Sequence, residues 1–130
     1  TISTEEFCKL RESVGFQTLT AKQAETVIKN TSLIVNAVCS GKSVGIVRVL
    51  TDTLTDAYIT DAIVSPDFQG KGLGKQLMNK TLESLKSNMV KNVKLACSLY
   101  ANPGKEAFYE KFGLEKLPNN KYGYGMLIEL

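Results

Sequence analysis

The sequence predicts an α+β fold with a mixed, mostly antiparallel sheet flanked by helices, on three observations. Two segments with helix-capping signals and helical spacing come first, β-branched apolar runs joined by turn residues follow, and the second half alternates helix and strand. The 130 residues read as one domain, 1–130, because a chain of that length buries one sizeable core and not two ordinary ones.

The elements follow in order. Ser3 with Glu6 fits a capping box, and Phe7, Leu10 and Val14 recur at helical spacing until Gly15 ends the helix. Thr20 with Gln23 repeats the capping pattern, and Ala24, Val27 and Ile28 mark a second amphipathic helix that runs out near residues 30–32. Residues 33–39, a turn at Ser40, Gly41 and Lys42, and residues 43–51 read as an antiparallel hairpin. Residues 57–64 are apolar on both faces, which predicts a central strand, and Pro66 stops it. Leu73, Leu77, Met78, Thr81, Leu82, Leu85 and Met89 form one stripe of a long helix. Residues 93–97 read as the next strand. Asn102 and Pro103 then supply an N-cap and first turn for a helix carrying Ala107, Phe108, Tyr109 and Phe112, closed by Gly113. Tyr122, Tyr124, Met126, Ile128 and Leu130 alternate as a final strand.

Composition narrows the function. There is no histidine, which excludes Ser-His-Asp and Cys-His nucleophile chemistry and imidazole metal clusters from this chain. Cys8, Cys39 and Cys97 are odd in number and widely spaced, so the expectation is buried free thiols and no metal. A net charge of +3 with dispersed lysines predicts no nucleic-acid partner but suits a small polyanion. No apolar run approaches the ~18 residues of a membrane span, and the first residues lack a secretory pattern, so no membrane partner and cytoplasmic residence are expected.

The informative stretch runs from Val64 to Lys75, a glycine-rich loop between a buried strand and the start of a long helix. Glycines let backbone N–H groups face outward and an anion approach closely, while the helix start adds unpaired donors and the positive end of a dipole. The expected occupant is a phosphate or pyrophosphate, with Lys71 and Lys75 adding charge. The nucleotide-triphosphate loop does not fit, since Gln76 follows Gly74-Lys75 where Ser or Thr is needed. Neither does the dinucleotide fingerprint, since Lys75 stands where its third glycine belongs.

Gln69-Gly70-Lys71-Gly72-Leu73-Gly74 resembles the Q/R-x-x-G-x-G/A pyrophosphate loop of the GNAT acetyltransferases. Residues 61–66 resemble the strand before that loop, and residues 107–114 resemble the later A-x-x-Y-x-x-x-G-F signature at Tyr109 and Gly113, with Ala107 one place nearer the Tyr and Leu114 replacing its last Phe. The family usually has one more strand ahead of its helices, for which only Thr1, Ile2 and Ser3 are available.

The resemblance implies a sheet splayed between the family's fourth and fifth strands and acetyl-coenzyme A as co-substrate. The pantetheine arm would pair with Ala62, Ile63 and Val64, and the pyrophosphate would sit on Gln69, Gly70, Lys71, Gly72, Leu73 and Gly74, with Lys75 beside it. The thioester would lie between residues 61–64 and residues 93–97, with Asn102 touching the cofactor arm. Attack by a primary amine, on a small molecule or a peptide, needs a base and an acid. Tyr109 is expected to protonate the leaving thiolate. Asp61 is read either as the base or as a carboxylate that braces a neighbouring loop, with water as the base in the second case. A silent acyl-coenzyme A sensor and a peptide-binding module are the readings from other classes, and fold alone rejects neither. A sheet edge left open by the terminal strand is a route to a homodimer.

Overall fold

The computed structural model describes residues 1–130. The chain divides into two compact units, Thr1–Leu99 and Tyr100–Leu130.

In the first unit, α1 (Thr4–Ser13) and α2 (Ala21–Lys29) precede a four-stranded sheet of order β1 (Leu33–Cys39), β2 (Lys42–Thr51), β3 (Asp56–Val64) and β4 (Ala96–Leu99), with α3 (Leu73–Ser87) between the last two strands. The first three strands are antiparallel and β4 runs parallel to β3, so α3 is the crossover connection that parallel pairing demands. No strand precedes α1; instead Ile2 is buried beside Phe7 and Leu10. No helix is long and apolar enough to cross a membrane.

Local chemistry accounts for the helix ends. Thr20 and Gln23 form the complete reciprocal box, whereas at α1 only Ser3 Oγ accepts from the Glu6 N–H. The Glu6 carboxylate turns outward to accept the Ser43 N–H at 2.6 Å, which ties α1 to the start of β2. Gly15, at φ +79°, closes α1: its N–H donates to Glu12 O and the Phe16 N–H donates to Arg11 O, the paired bonds of a Schellman motif. Ser40 and Gly41, both at positive φ between the paired residues Cys39 and Lys42, make the two-residue hairpin turn suited to strand twist.

The sheet has a covered face on each side. Ile46 and Ile63 pack with Phe7, Leu10 and Ala24 under α1 and α2. The opposite face carries Gly45, against which Leu73 and Leu77 of α3 close, and α3 buries Leu77, Met78, Thr81 and Leu85. The buried Thr81 hydroxyl donates to Leu77 O at 2.8 Å and so is satisfied within the helix.

β3 changes register on β2. Val49 pairs with Ile59 and Arg48 with Thr60, but Ile46 pairs with Ile63, so an extra residue is accommodated opposite Val47. Asp61 lies in that bulge at φ +44°, in the left-handed region that non-glycine residues rarely occupy.

Several expected elements differ. The strand placed at residues 93–97 forms at Ala96–Leu99. In the second unit, the only helix is α4 (Glu106–Glu110), and Asn102 is not its cap. Asn102 O accepts from the Lys105 N–H across Pro103 and Gly104 at φ +88°, the residue pattern of a type II turn. The final strand at Tyr122, Tyr124, Met126, Ile128 and Leu130 is absent, and those side chains are exposed. Period-two alternation becomes a strand only where a neighbour takes its N–H and C=O groups, and no strand pairing reaches this segment.

Replacing Gly45 with Ala puts a methyl 2.9 Å from Leu77 Cδ1 and 3.1 Å from the Ile63 carbonyl. Overpacking against backbone at that site should cost about 1–3 kcal/mol in denaturant unfolding. A second expectation concerns acid. The Asp52 carboxylate accepts from the Thr55 hydroxyl at 2.6 Å and from the N–H groups of Asp56, Leu54 and Thr55, which hold it well below the usual carboxylate range. A depressed folded-state value stabilises above the unfolded value and is lost as pH falls. Asp52→Asn should therefore lower the melting temperature near neutral pH, and the deficit should shrink progressively as pH falls below about 4, where the unfolded carboxylate takes up its proton.

Candidate functional site

Three features of the first unit meet at the carboxyl end of β3: a glycine loop, an uncapped helix start and an unpaired strand edge. After β3, the Ser65 N–H still donates to Val44 O at 2.8 Å, and a single 3-10 turn at Pro66–Phe68 redirects the chain. Gly70 and Gly72 follow at φ +77° and +81°, and a Cβ on either would meet nothing within 4 Å. Conformation and open space together explain glycine at both positions.

Gly72 is the N-cap of α3 and offers no side chain. The N–H groups of Gly70, Lys71, Gly72, Leu73, Gly74 and Lys75 find no acceptor within the chain; the first that does is Gln76, which donates to Gly72 O at 3.2 Å. A run of donors at the positive end of a 15-residue helix is an arrangement able to receive an anion. Lys71 and Lys75 are exposed beside it, and the Lys71 ammonium rests over the Phe68 ring at 5.4 Å. The Gln69 side chain has a partner within the chain: its Nε2 donates to Val64 O at 2.9 Å and ties the loop back to the end of β3.

The strand edge arises from the shortness of β4. Parallel pairing runs only from Asp56 with Ala96 to Ile59 with Leu99, and residues 60–64 have no strand beside them on that edge. The expected gap beside residues 93–97 is thus corrected: Ala96 and Cys97 pair at the far end of β3, and the sheet opens beyond Leu99. Along a strand the backbone groups of successive residues face opposite neighbours. The Ser65 N–H faces β2, hence Ile63 does too, and Ala62 and Val64 face the open edge. Gln69 takes the Val64 carbonyl on that edge, which leaves Ala62 and the Val64 N–H for a ligand.

Asp61 is 7% exposed, and both its oxygens are committed. Oδ1 accepts from Arg11 Nη1 and Oδ2 from Arg48 Nε, each at 2.8 Å. Of the two roles read from the sequence, this is the arrangement of a brace, since neither oxygen is left facing an amine. The arginines are partnered in turn. Arg11 donates from Nε and Nη2 to Gln17 O and lies 5.8 Å from the centres of the Phe7 and Phe16 rings, and Arg48 Nη1 donates to Thr31 Oγ1. Sequence reasoning missed both. The available signal was opposite charge inside apolar runs on neighbouring strands: Arg48 between Val47 and Val49, and Asp61 beside Ala62 and Ile63.

In the second unit, Tyr109 lies on α4 with its ring edge-on to Phe108 at 5.1 Å, and Phe108 meets Phe112 at 5.2 Å. Burial pushes the Tyr109 phenol up from an ordinary value that already keeps its proton at neutral pH. Burial likewise raises the Cys97 thiol in the first unit. Asn102, expected against the cofactor arm, is exposed on its turn.

Comparison with known proteins converges on one family. The sequence profile of the Acetyltransferase (GNAT) family matches residues 3–114. An uncharacterised N-acetyltransferase, ycf52, of Pyropia yezoensis is 31% identical over 122 residues, covering 91% of this chain and 68% of the relative. Its counterpart in Gracilaria tenuistipitata is 29% identical over 119 residues, covering 88% and 63%, so the chain spans about two thirds of these relatives. Among solved structures, a probable acetyltransferase from Staphylococcus aureus superposes with a TM-score of 0.83 at 27% identity, covering 99% of this chain and 94% of that one. The loop, the four-stranded mixed sheet and these matches agree, and the chain belongs to the GNAT family of acetyltransferases.

Proposed function

We propose that this chain binds acetyl-coenzyme A and transfers its acetyl group directly to a primary amine of a small molecule or peptide. The observation that carries the reading is the run of unpaired N–H groups from Gly70 to Lys75 at the start of α3, which suits a pyrophosphate in number and sign. Lys71 and Lys75 add mobile positive charge, and the open edge at Ala62 and Val64 matches the amide groups of a pantetheine arm. Acetyl-coenzyme A supplies an activated thioester. The chain supplies position, donors and a proton.

Transfer forms an N–C bond and breaks a C–S bond, so the amine must lose a proton and the departing thiolate must gain one. Tyr109 is assigned the second task, because a phenol carries its proton at neutral pH and the residue stands at the tyrosine of the signature read in residues 107–114. Water is assigned the first, because the Asp61 oxygens are taken by the two arginines.

Gly72→Val and Gly74→Val should each weaken acetyl-coenzyme A binding by at least about tenfold, because a side chain fills the space of the phosphates. Calorimetric titration is the check, with circular dichroism to show that the helices persist; unchanged affinity in both variants overturns the loop assignment. Gly72→Val also carries backbone strain, since Gly72 sits at φ +81°, so Gly74→Val is the cleaner variant. For the acid, Tyr109→Phe keeps the ring and removes the proton. Thiol release with a confirmed amine acceptor should fall roughly ten- to a thousandfold, with acetyl-coenzyme A affinity nearly unchanged. Wild-type turnover in that variant removes the role.

A further inference from the structure

We propose that Arg11, Asp61 and Arg48 form a positioning clamp that fixes the bulge in β3 and thereby presents Ala62 and Val64 to the acyl donor, an inference that rests on the donor-binding reading above.

The bulge is what turns the end of β3. On β2, Val49 and Ile46 are three residues apart and so face opposite sides of the sheet. Their partners Ile59 and Ile63 therefore do too, although four residues on an unbroken strand would place both on one side. The extra residue at the bulge puts Ile63 under α1 and α2, beside Phe7 and Leu10. It also sets which backbone groups of residues 62–64 face the open edge.

Such a bulge is not free-standing. It leaves a break in the β2–β3 ladder and holds Asp61 at φ +44°, so it persists only if neighbouring interactions over-determine it. The side chain at the strained residue supplies them. One carboxylate joins Arg11 on α1 and Arg48 on β2, and through these it reaches Gln17 in the α1–α2 connection and Thr31 just beyond α2. The side chains of Asp61, Arg11 and Arg48 are 5%, 11% and 14% exposed, so little water competes for these bonds. Removing the carboxylate strands two guanidiniums in a nearly dry layer and frees the bulge at once. The clamp thus acts on the donor edge through the backbone and touches neither the amine nor the thioester.

The test uses Asp61→Asn and, as the milder break, Arg48→Lys, each compared with wild type well below its melting temperature. Amide hydrogen exchange reads the clamp without any ligand: peptides covering residues 60–65 should exchange at least about tenfold faster in both variants, with those of α3 unchanged. Acetyl-coenzyme A is the probe for the consequence, and its dissociation constant should rise about tenfold in each variant. In the double variant the rise should be no greater than in Asp61→Asn alone, as expected for residues acting through one network. Unchanged exchange over residues 60–65 overturns the clamp whatever binds. Faster exchange with unchanged acetyl-coenzyme A affinity overturns its role at the donor edge and leaves a purely structural ion-pair cluster. Failure of the wild-type protein to bind acetyl-coenzyme A defeats the donor reading instead and with it the clamp's positioning role, while exchange still decides whether the clamp holds the bulge.

Discussion

Register on β3 is the constraint from which the arrangement of the first unit follows. A strand that paired evenly with β2 would carry Ala57, Ile59, Asp61 and Ile63 on one side of the sheet. One extra residue opposite Val47 instead divides them: Ile59 stays on the side of Val49, while Ile63 joins Ile46 in the cluster with Phe7 and Leu10. Both helical layers therefore gain apolar partners from the same strand. The same change of register ends the strand with Ser65 still bonded to β2 and Ala62 and Val64 turned the other way, toward the edge that β4 is too short to cover.

Two polar devices flank that edge, and they are opposite in kind. Around Asp61 the charges are almost withdrawn from water, and the carboxylate is satisfied at both oxygens, which is the condition under which buried ion pairs are tolerable. At the start of α3 the donors are unsatisfied: the N–H groups from Gly70 to Lys75 have no acceptor within the chain and no side-chain cap. Glycine at position 72 follows from its φ of +81°, which Ser, Asp or Thr would adopt only with strain, and its consequence is a helix start with no side-chain cap. Gln69 links the devices, since its amide holds the loop to the Val64 carbonyl at the end of the strand that Asp61 braces.

Much of this was legible in the chain itself, and the failures have physical causes. Both amino-terminal helices, the hairpin at Ser40 and Gly41, the third strand and the start of α3 are set by short-range chemistry: caps, positive-φ turn residues and periodicity. The loop was legible for the same reason, since Gly70 and Gly72 encode their own backbone. The bulge was not, because Ala57, Ile59, Asp61 and Ile63 are all buried and their alternation looks like that of an unbroken strand. The clamp was half legible: Asp61 stood out in an apolar run, but its partners lie 50 and 13 residues away and no local rule connects them. The terminal alternation of Tyr122, Tyr124, Met126 and Ile128 misled, because a strand is a property of a pair, and Gly123 and Gly125 weaken any intrinsic preference for it.

The direct transfer proposed above agrees with the ionisable groups that the chain carries. A nucleophilic route needs a side chain activated by a base or by a lowered pKa, and there is no histidine to supply the first. Desolvation moves Cys97 the wrong way for the second, since burial raises the thiol and so lowers the thiolate fraction on which its reactivity depends. Burial raises the Tyr109 phenol as well, so it too is a poor nucleophile at neutral pH, and the same rise makes it a weaker acid; its proposed role therefore rests on its place in the sequence signature and not on a tuned acidity.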